Sequence, residues 1–472
     1  MSVTAGTTRS RKPKNFPLYR TLPGFIRNPL KEIERIGRVA DGELLRLDLG
    51  ASKPFFVTRP EDVQTVLKDE SDNYVRDGVF WRPLHGLFGD SILGEHEAWA
   101  LSRRILMPVF SARNVRALMD RLAGTIDDAV DELTPAAREG RPVAAGAEMA
   151  RIVNTTVIRV FFGEKILPPQ IARLAPAFDA VARNLAFRFL LPFLPDAVRL
   201  PGDTAYRAAL KVVDEVMYEL VDRYRDDPGE GHDIFTVLCR ARTARGGALS
   251  DEWIRDNLVA MFATGTETTT TVLSWLWPMI CEHPEVAARL RDEVDRVVGT
   301  GRAGPRHLDD LVYTGQVVSE LLRLYPVAWV FPRIALRPGT LGGVPIEAGQ
   351  SLIISPYLTH RLPSVWDRPL EFDPERFTPE RAERRHRYAY FPFGGGPHQC
   401  IGMNVFYAEA KLIVASMLSR FRPEPVQAIP ARARIGPTLR PEFDLRMRLV
   451  PHRNLAPSTP NDPACGMAGG SL

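Results

Sequence analysis

The segment Phe391-Pro392-Phe393-Gly394-Gly395-Gly396-Pro397-His398-Gln399-Cys400-Ile401-Gly402 places one cysteine after three consecutive glycines and before an apolar segment, 405–418, that has a helical pattern. Glycine permits positive φ angles and lets the backbone approach a bulky group closely. A thiol at the start of a helix is stabilised as a thiolate by the helix dipole and by free backbone N–H groups. Shielded by aromatic side chains, such a thiolate can ligate iron. The pattern is also typical of a glycine-rich turn with a buried, unreactive cysteine.

Length and composition limit the classes of protein to consider. At 472 residues the chain exceeds the usual size of a single core, so two or more lobes are expected. The four cysteines are far apart and form no CxxC pair, and no HExxH motif is present, so neither a disulfide framework nor a zinc site is indicated. The net charge of +4 is too small to indicate a nucleic-acid partner. We expect a monomer.

The termini and the apolar segments predict where the protein resides. Residues 1–15 are polar and basic and lack the apolar core of a signal peptide. No uninterrupted apolar segment is long enough to cross a bilayer, so we expect no transmembrane anchor. The most apolar segment, 185–195, contains Arg188 and two prolines, and it is a candidate for contact with a membrane or an apolar ligand. Widely spaced free cysteines are consistent with the reducing cytoplasm.

The order of predicted elements indicates a mainly helical chain with short strands. Residues 1–28 are expected to form a mobile, partly extended lead. Predicted strands lie at 43–49, 55–58, 341–346, 351–355 and within 438–450. Predicted helices begin at residues 59 and 233, and others span 95 to Pro108, 251 to Pro278, 283–298 and 316–324. Several further helices occupy most of 115–225.

The centre of the long predicted helix reads Ala263-Thr264-Gly265-Thr266-Glu267-Thr268-Thr269-Thr270-Thr271. A glycine inside a helix costs about 1 kcal/mol relative to alanine, and β-branched threonine is a weak helix former. An isolated carboxylate among apolar turns is costlier unless it is paired or hydrated. Several such violations together predict a functional site in a distorted helix, where a hydroxyl beside an acid can deliver protons. The alternative is a threonine-rich helix with an exposed glutamate.

Two further pairs of residues stand one helical turn apart. Glu320 and Arg323 share a helix face and lie among apolar residues, which predicts a buried hydrogen-bonded network that Arg376 can reach from a later segment. Trp99 and Arg103 also share a face, and an indole N–H beside a guanidinium can clamp a carboxylate. By itself the second pair is also typical of a surface arginine over a half-buried tryptophan.

Four motifs occur in one order: the helix bearing Thr268, Glu320-x-x-Arg323, Phe372-Asp373-Pro374-Glu375-Arg376-Phe377, and Phe393-x-x-Gly396-x-His398-x-Cys400-x-Gly402. In this order and spacing, the chain strongly resembles the cytochrome P450 family of haem-thiolate monooxygenases, over residues 16–450. The resemblance implies a mainly α fold with small β-sheets, in which a large helical lobe and a smaller β-rich lobe surround a buried haem b. One domain is expected at 16–455, between a flexible lead at 1–15 and a disordered tail at 456–472.

The resemblance also implies a role for each residue that matches a family motif. Cys400 is expected to be the proximal iron ligand, with Phe393 near its sulfur and Gly402 allowing close contact of helix and haem. The Glu267–Thr268 pair is expected to deliver protons during the activation of O2. The haem propionates are expected to bind Trp99, Arg103, Arg333 and His398, and the structural triad beneath the haem consists of Glu320, Arg323 and Arg376.

Two positions depart from the common family pattern. His398 stands where arginine is more usual, and it makes the propionate contact sensitive to pH because the unperturbed pKa of histidine is about 6.5. Thr264 stands where alanine or glycine is commoner, with a consequence that the sequence does not reveal.

The segments that the family places around the substrate are 74–88, 185–194, 261–265, 327–331 and the region of Pro437. The expected pocket residues are mostly apolar, namely Phe80, Trp81, Phe262, Ala263, Val327, Ala328, Trp329 and Val330. Arg76 and Arg82 are the only candidates for a charged anchor in the first segment. A pocket of this kind suits a lipophilic molecule such as a terpenoid. Alternatives are a fatty-acid or polyketide hydroxylase, a peroxide-driven peroxygenase, an oxidative-rearrangement catalyst and a non-catalytic haem protein.

No flavin or ferredoxin module is recognisable in the sequence. The resemblance therefore implies a soluble bacterial-type member that receives electrons from NAD(P)H through a separate ferredoxin and ferredoxin reductase. Basic residues expected on the thiolate side are candidates for docking an acidic ferredoxin, namely Arg104, Arg113, Arg381, Arg384, Arg385 and Arg387. The alternative is a solvated surface in a chain that uses arginine throughout.

Overall fold

Helices build most of the molecule. The computed structural model describes residues 12–50, 52–190, 198, 200–231, 233–243, 246–299, 301–427, 432–436 and 438–452. The helices in these residues are α1 (Leu18–Arg27), α2 (Pro29–Ala40), α3 (Pro60–Gln64), α4 (Arg82–Phe88), α5 (His96–Leu106), α6 (Ala112–Asp131), α7 (Thr134–Arg138), α8 (Ala145–Phe162), α9 (Pro168–Leu190), α10 (Asp203–Tyr224), α11 (Ile234–Arg240), α12 (Asp251–Glu282), α13 (Pro284–Val297), α14 (Val312–Leu324), α15 (Pro356–Thr359), α16 (Pro379–Ala382) and α17 (Met403–Arg420).

The strands form one larger sheet and three small ones. They are β1 (Lys14–Phe16), β2 (Leu45–Leu47), β3 (Phe55–Val57), β4 (Tyr74–Val75), β5 (Val143–Ala144), β6 (Phe331–Ala335), β7 (Gly339–Leu341), β8 (Val344–Ile346), β9 (Ser351–Ile354), β10 (Phe421–Pro425), β11 (Ala433–Arg434), β12 (Arg440–Pro441) and β13 (Arg446–Pro451). The six-stranded sheet has the order β1-β2-β3-β9-β6-β4, with β1–β2 and β3–β9 parallel. The other described sheets are β10-β13-β5 and the hairpins β7–β8 and β11–β12.

Alternation along the strands divides the β-rich core in two. Phe55 and Val57 of β3 join one apolar cluster, whereas Phe56 joins another, because successive side chains of a strand point to opposite faces of a sheet. A third and larger cluster joins the helices, with α12 at its centre packed against α8, α10 and α14. The structure is thus a large helical lobe beside a smaller β-rich lobe, as expected.

The long helix α12 extends farther than the sequence predicts. Ser250 caps its N-terminus by accepting a hydrogen bond from the backbone N–H of Trp253 at 3.2 Å. Pro278 does not end the helix but lies inside it, and the last turn continues to Glu282. Trp275 and Trp277 are fully buried beside the proline, so the packing of this segment outweighs the one backbone hydrogen bond that proline removes.

The predicted mobile lead is also partly wrong. Lys14 and Asn15 pair with Leu45 and Arg46 in the larger sheet, and α1 follows within the segment that was expected to be extended. Helix α14 starts at Val312 rather than at residue 316. The predicted strand 341–346 is wrong, because Gly342 and Gly343 form the turn of the β7–β8 hairpin with positive φ angles. The predicted strands at 43–49, 55–58 and 351–355 and the helices at α5 and α13 are confirmed to within a few residues. None of the helices in the described part of the chain is long and apolar enough to cross a lipid bilayer.

Candidate active site

The cysteine loop depends on glycines for its shape. Gly394 and Gly396 have φ angles of +69° and +63°, in a region that side chains rarely adopt. A Cβ atom on Gly396 would overlap the carbonyl oxygen of Leu67. The predicted need for glycine at this position therefore has a reason within the protein, since the loop packs closely against the turn that follows α3.

This loop carries Cys400 to the N-terminus of α17. The backbone N–H of Cys400 donates to the carbonyl of Phe393 at 2.9 Å, and Cys400 is an exposed residue although neighbouring protein atoms desolvate its sulfur. Burial raises the pKa of the thiol, whereas the backbone N–H of Gly402 and the charge of Arg103 act in the opposite direction. The donors and the cation that stabilise a thiolate are thus in place around the sulfur.

Three of the four side chains expected to bind an acidic group contact one another beside the loop. The rings of Trp99 and His398 lie 4.2 Å apart, centroid to centroid, and the guanidinium of Arg103 lies 5.8 Å from the Trp99 ring. Arg103 Nη1 donates to the carbonyl of Gln399 at 2.9 Å. Helix α5 and the cysteine loop are therefore joined through these side chains.

The fourth side chain, Arg333, is buried in strand β6. Its Nη1 donates to the carbonyl of Pro332 at 2.7 Å, and it forms no ion pair with a carboxylate of the described residues. Burial lowers the pKa of Arg333 to about 9, and the charge of Arg76 acts in the same direction. A buried guanidinium without a carboxylate is a place where an anion binds favourably.

An acid that the sequence analysis missed lies within this group of cations. Glu95 Oε1 accepts hydrogen bonds from the backbone N–H and Nε of Arg76 at 2.8 and 3.0 Å, and Oε2 lies 3.4 Å from His398 Nε2. Burial by itself raises the pKa of Glu95, but His398 and Arg76 outweigh it and hold that pKa at about 2. Arg76 is therefore already paired and is not the free substrate anchor that was considered.

His398 is held on one side only. Burial lowers the pKa of its imidazole, while the hydrogen bond with Glu95 raises it. Its Nδ1 is buried and has no hydrogen-bond partner in the described residues. The imidazole thus has one ring nitrogen fixed by a carboxylate and the other free to bind a further group.

The centre of α12 is an uninterrupted α-helix rather than the distorted one that was expected. A Cβ atom on Gly265 would lie 2.8 Å from Phe161 of α8, so glycine is needed for the close packing of two helices. Thr264, Thr266 and Thr268 each donate a hydrogen bond to the carbonyl four residues earlier, at 2.7 to 3.0 Å. These bonds satisfy the hydroxyl donors inside the helix.

Glu267 points to a different part of the chain from Thr268. Its carboxylate forms an ion pair with Arg440 of β12 and accepts a hydrogen bond from Thr438 Oγ1 at 2.6 Å. The side chains of Glu267 and Arg440 are 29% and 42% exposed. The acid of the predicted acid–alcohol pair is thus tied to the C-terminal β-segment and reaches solvent. No sequence pattern indicated either partner.

The Glu320–Arg323 pair is fully buried and highly connected. Arg323 Nε and Nη2 donate to the two carboxylate oxygens of Glu320 at 2.6 and 2.8 Å. The remaining donors reach the carbonyls of His360, Pro369 and Glu371 at 2.6 to 2.9 Å. Arg376 Nε lies 3.4 Å from the Glu320 carboxylate. The structure thus brings all three predicted residues together at the start of the segment that leads to the cysteine loop.

The predicted pocket residues divide between two apolar clusters. Phe262, Ala263 and Val327 belong to the helical cluster, and Phe262 packs 4.9 Å from Phe178 of α9, ring to ring. Phe80, Trp329 and Val330 belong to the cluster on one face of the sheet.

Two tryptophans fix segments of this region to each other. Trp81 donates through Nε1 to the carbonyl of Pro332 at 3.0 Å. Trp329 does the same to Gly436 at 3.0 Å. Of the other predicted pocket segments, residues 191–194 and Pro437 lie outside the described residues.

Comparisons with known proteins show the family to which the chain belongs. The sequence model of the family Cytochrome P450 matches residues 11–435. Pentalenene oxygenase from Streptomyces avermitilis is 28% identical over 84% of this chain and 87% of its own. Cyclooctatin synthase from Streptomyces melanosporofaciens is 30% identical over 89% of this chain and 91% of its own. Cyclooctat-9-en-7-ol 5-monooxygenase from the same organism is 28% identical over 89% of this chain and 90% of its own.

Solved structures agree at the level of the fold. The haem domain of cytochrome P450DA covers 94% of this chain and 99% of its own, with a TM-score of 0.79 at 24% identity. The sequence, the fold and the cysteine loop agree, and the chain belongs to the cytochrome P450 family of haem-thiolate monooxygenases.

Proposed function

We propose that this monooxygenase inserts one oxygen atom of O2 into a terpenoid and receives its electrons from a ferredoxin and a ferredoxin reductase in the cytoplasm. The observation that supports the substrate class is the apolar character of the predicted pocket residues, of which Phe80, Trp329 and Val330 lie in one apolar cluster and Phe262 and Val327 in another. The names of the three Streptomyces relatives are consistent with terpenoid oxidation.

The residues of the candidate site fit a haem held by a thiolate. When bound, the haem iron supplies the activation of O2 for attack on an unactivated carbon. Cys400 would ligate the iron, with Phe393 packed near the sulfur and Gly402 keeping the helix start free of a side chain. Two features favour this fit, namely the buried Arg333 without a carboxylate and the free Nδ1 of His398. Arg333, His398, Trp99 and Arg103 would together bind the two haem propionates.

Protons would enter through the pair on α12. Glu267 is bound to Arg440 and is partly exposed, so its carboxylate is accessible to solvent. Thr268 donates its hydroxyl hydrogen to the carbonyl of Thr264 at 2.7 Å, and its oxygen lone pairs remain available to accept a hydrogen bond from a water molecule. In this proposal Thr268 orients the proton donor and Glu267 resupplies it.

The electron donor would bind where cations lack an internal partner. Arg104, Arg113, Arg384 and Arg387 are exposed and form no ion pair within the described part of the chain. Arg385 is less suited to docking than was expected, because its guanidinium lies 4.5 Å from the ring of Trp366 and 4.9 Å from that of Phe377. Arg381 is paired with Asp373 at 3.0 Å.

The substrate class can be tested with the purified haem protein. Binding of a substrate that displaces water from the iron shifts the haem absorption spectrum, so panels of terpenes, fatty acids and macrolides can be compared. We expect spectral shifts and hydroxylated products, in the presence of NADPH, ferredoxin and reductase, for terpenes. Products from fatty acids alone, or turnover that requires only hydrogen peroxide, would refute the proposal.

The roles of individual residues need two variants. Cys400→Ser is expected to abolish the thiolate-type absorption of the reduced carbon-monoxide complex. Thr268→Ala is expected to keep that absorption but to divert electrons into hydrogen peroxide. Thr270→Ala, two residues further along the same helix, is the matched control and is expected to leave coupling unchanged.

A further inference from the structure

Helix α1 exposes an apolar strip on the surface of the β-rich lobe. The side chains of Tyr19, Leu22 and Ile26 are 72%, 44% and 78% exposed. Their spacing of three and four residues places them on one face of the helix. Single exposed apolar residues are ordinary, but a strip on one helix face marks an interaction surface. We call these three residues the α1 strip.

Cations without an ion-pair partner among the described residues accompany the α1 strip in the sequence, and the guanidinium of Arg20 lies 5.6 Å from the ring of Tyr19. Arg20 and Arg27 lie on α1 itself, Lys31 and Arg38 lie on the following helix, and Lys12 precedes them. None of these five forms an ion pair with an acidic residue of the described chain. Over residues 12–38 there are seven lysines and arginines and only two acids, Glu32 and Glu34. Glu32 pairs with Arg35 of the same segment and Glu34 bonds to Tyr357, so neither acid forms an ion pair with the five cations named above.

The other side of α1 is fixed in the core. Thr21 is fully buried, and Asn28 caps α2 by accepting a hydrogen bond from the backbone N–H of Lys31 at 3.0 Å. Phe25 packs against the apolar cluster that also contains Phe80 and Trp329. The helix therefore presents its apolar strip as part of a fixed surface.

We propose that the α1 strip and its accompanying cations form a docking surface for an anionic lipid bilayer. An amphipathic helix with an apolar face and a basic border binds in the plane of a membrane, because apolar side chains enter the acyl boundary while cations meet the lipid phosphates. Lysine and arginine place their charged ends at the headgroups while their stems cover apolar surface. The bound protein would lie on the membrane without crossing it.

The α1 strip is linked to some of the predicted pocket residues through one apolar cluster. Phe25 shares its apolar cluster with Phe80, Trp329 and Val330, so a docked membrane would adjoin the wall of the pocket and could supply a lipophilic substrate. That consequence rests on the proposed function. The lipid binding does not, because it can be measured on the haem protein without any substrate.

Co-sedimentation with vesicles tests the proposal. The full-length haem protein is mixed with vesicles of phosphatidylcholine containing one third phosphatidylglycerol, and with vesicles of phosphatidylcholine alone. We expect binding to the anionic vesicles that weakens with salt. The double variant Tyr19→Ser/Ile26→Ser should bind them at least tenfold more weakly. Arg27→Glu/Lys31→Glu should lose a similar factor on anionic vesicles and little on neutral ones.

Matched controls separate this surface from general stickiness. Leu370 is 68% exposed and lies outside α1, so Leu370→Ser is expected to bind vesicles like the wild type. The carbon-monoxide spectrum and the melting temperature report that each variant is folded. Absence of wild-type binding to anionic vesicles, or equal binding by the Tyr19/Ile26 variant, would overturn the proposal. A third outcome would also overturn it: the wild type binds no vesicles, and light scattering shows a dimer that the Tyr19/Ile26 variant does not form. A second copy of the chain would then cover the α1 strip.

Discussion

Arg323 and Arg333 are both buried and stand ten positions apart in the sequence, yet their surroundings differ completely. Arg323 donates to both oxygens of Glu320 and to three backbone carbonyls. Arg333 donates to one carbonyl, that of Pro332, and forms no ion pair in the described chain, while the like charge of Arg76 outweighs the opposite charge of Glu95. The first guanidinium is satisfied within the protein. The second is not.

The difference indicates two uses for a buried charge. Removing a guanidinium from water is costly, and only good hydrogen bonds and an opposite charge offset the loss. In the Arg323 network the offset is internal, so the pair holds α14 to the segment that leads to the cysteine loop. At Arg333 the offset has to come from an anion outside the chain, for which a haem propionate is our proposal.

The largest effect is expected from breaking the satisfied network. Arg323→Met would leave Glu320 buried without the guanidinium that donates to both of its oxygens, which should cost about 3–5 kcal/mol in the free energy of unfolding. Urea titration followed by fluorescence measures this. Arg116→Met removes an exposed pair with Asp309 and is the control, with an expected cost below about 1 kcal/mol. Equal effects of the two variants would contradict the comparison.

Arg333→Met should stabilise the haem-free protein but weaken its hold on haem. Without haem, removing an uncompensated buried charge should stabilise the fold by about 1 kcal/mol. With haem, the loss of a propionate partner should speed release of the group by about tenfold. Urea titration of the haem-free protein measures the free energy of unfolding, and transfer of haem to excess apomyoglobin measures the rate of haem release. Destabilisation in both states would mean that Arg333 is structural, like Arg323.

The pH dependence of the same comparison has a definite sign. The pKa of Arg333 is lowered to about 9 in the folded haem-free protein, while the unfolded chain keeps its proton to a much higher pH. The unfolded state therefore binds more protons above pH 9, and wild-type stability rises with pH relative to Arg333→Met. The amount by which the free energy of unfolding of Arg333→Met exceeds that of the wild type, measured by urea titration, should shrink between pH 8 and pH 10. A constant difference would show that Arg333 does not titrate in that range.

Local spacing predicted what depends on local geometry. The Glu320–Arg323 pair, the glycine loop and the helix start at Cys400 follow from residues within a few positions of each other, and the structure contains them. Gly265 was also singled out, but for a wrong reason, because it packs against Phe161, which is far away in the sequence. Pro278 misled because the burial of its neighbours is not visible in a local pattern.

The contacts that the sequence did not predict connect distant segments. Arg440 is 173 positions from Glu267, and Glu95 is 19 positions from Arg76. In both cases an ordinary charged residue acquires its partner only through the tertiary fold, and no periodicity or turn signal marks it. This explains why the predicted site contained His398 and Glu267 but not Glu95 and Arg440, which bind them.

Arg440 differs from both Arg323 and Arg333, because it is paired with a carboxylate but is partly exposed. Arg440→Met should change the free energy of unfolding by less than about 1 kcal/mol, yet free Glu267 from the C-terminal segment. We expect a two- to fivefold change in the fraction of NADPH electrons that reach product, measured against peroxide release. If Arg440 acts through Glu267, then Arg440→Met/Glu267→Gln should be no worse than Glu267→Gln alone. Additive losses would show that Arg440 acts independently.

The smallest effect is expected where arginines lie at the surface. Arg384 is exposed and forms no ion pair in the described chain, whereas burial lowers the pKa of Arg385 to about 10 and its guanidinium stacks on Trp366. Arg384→Glu should slow ferredoxin association several-fold at low salt with no change in melting temperature. Arg385→Glu should lower the melting temperature instead. Stopped-flow reduction at two salt concentrations, with melting curves alongside, distinguishes docking from packing. Unchanged reduction in Arg384→Glu would remove this arginine from the proposed docking surface.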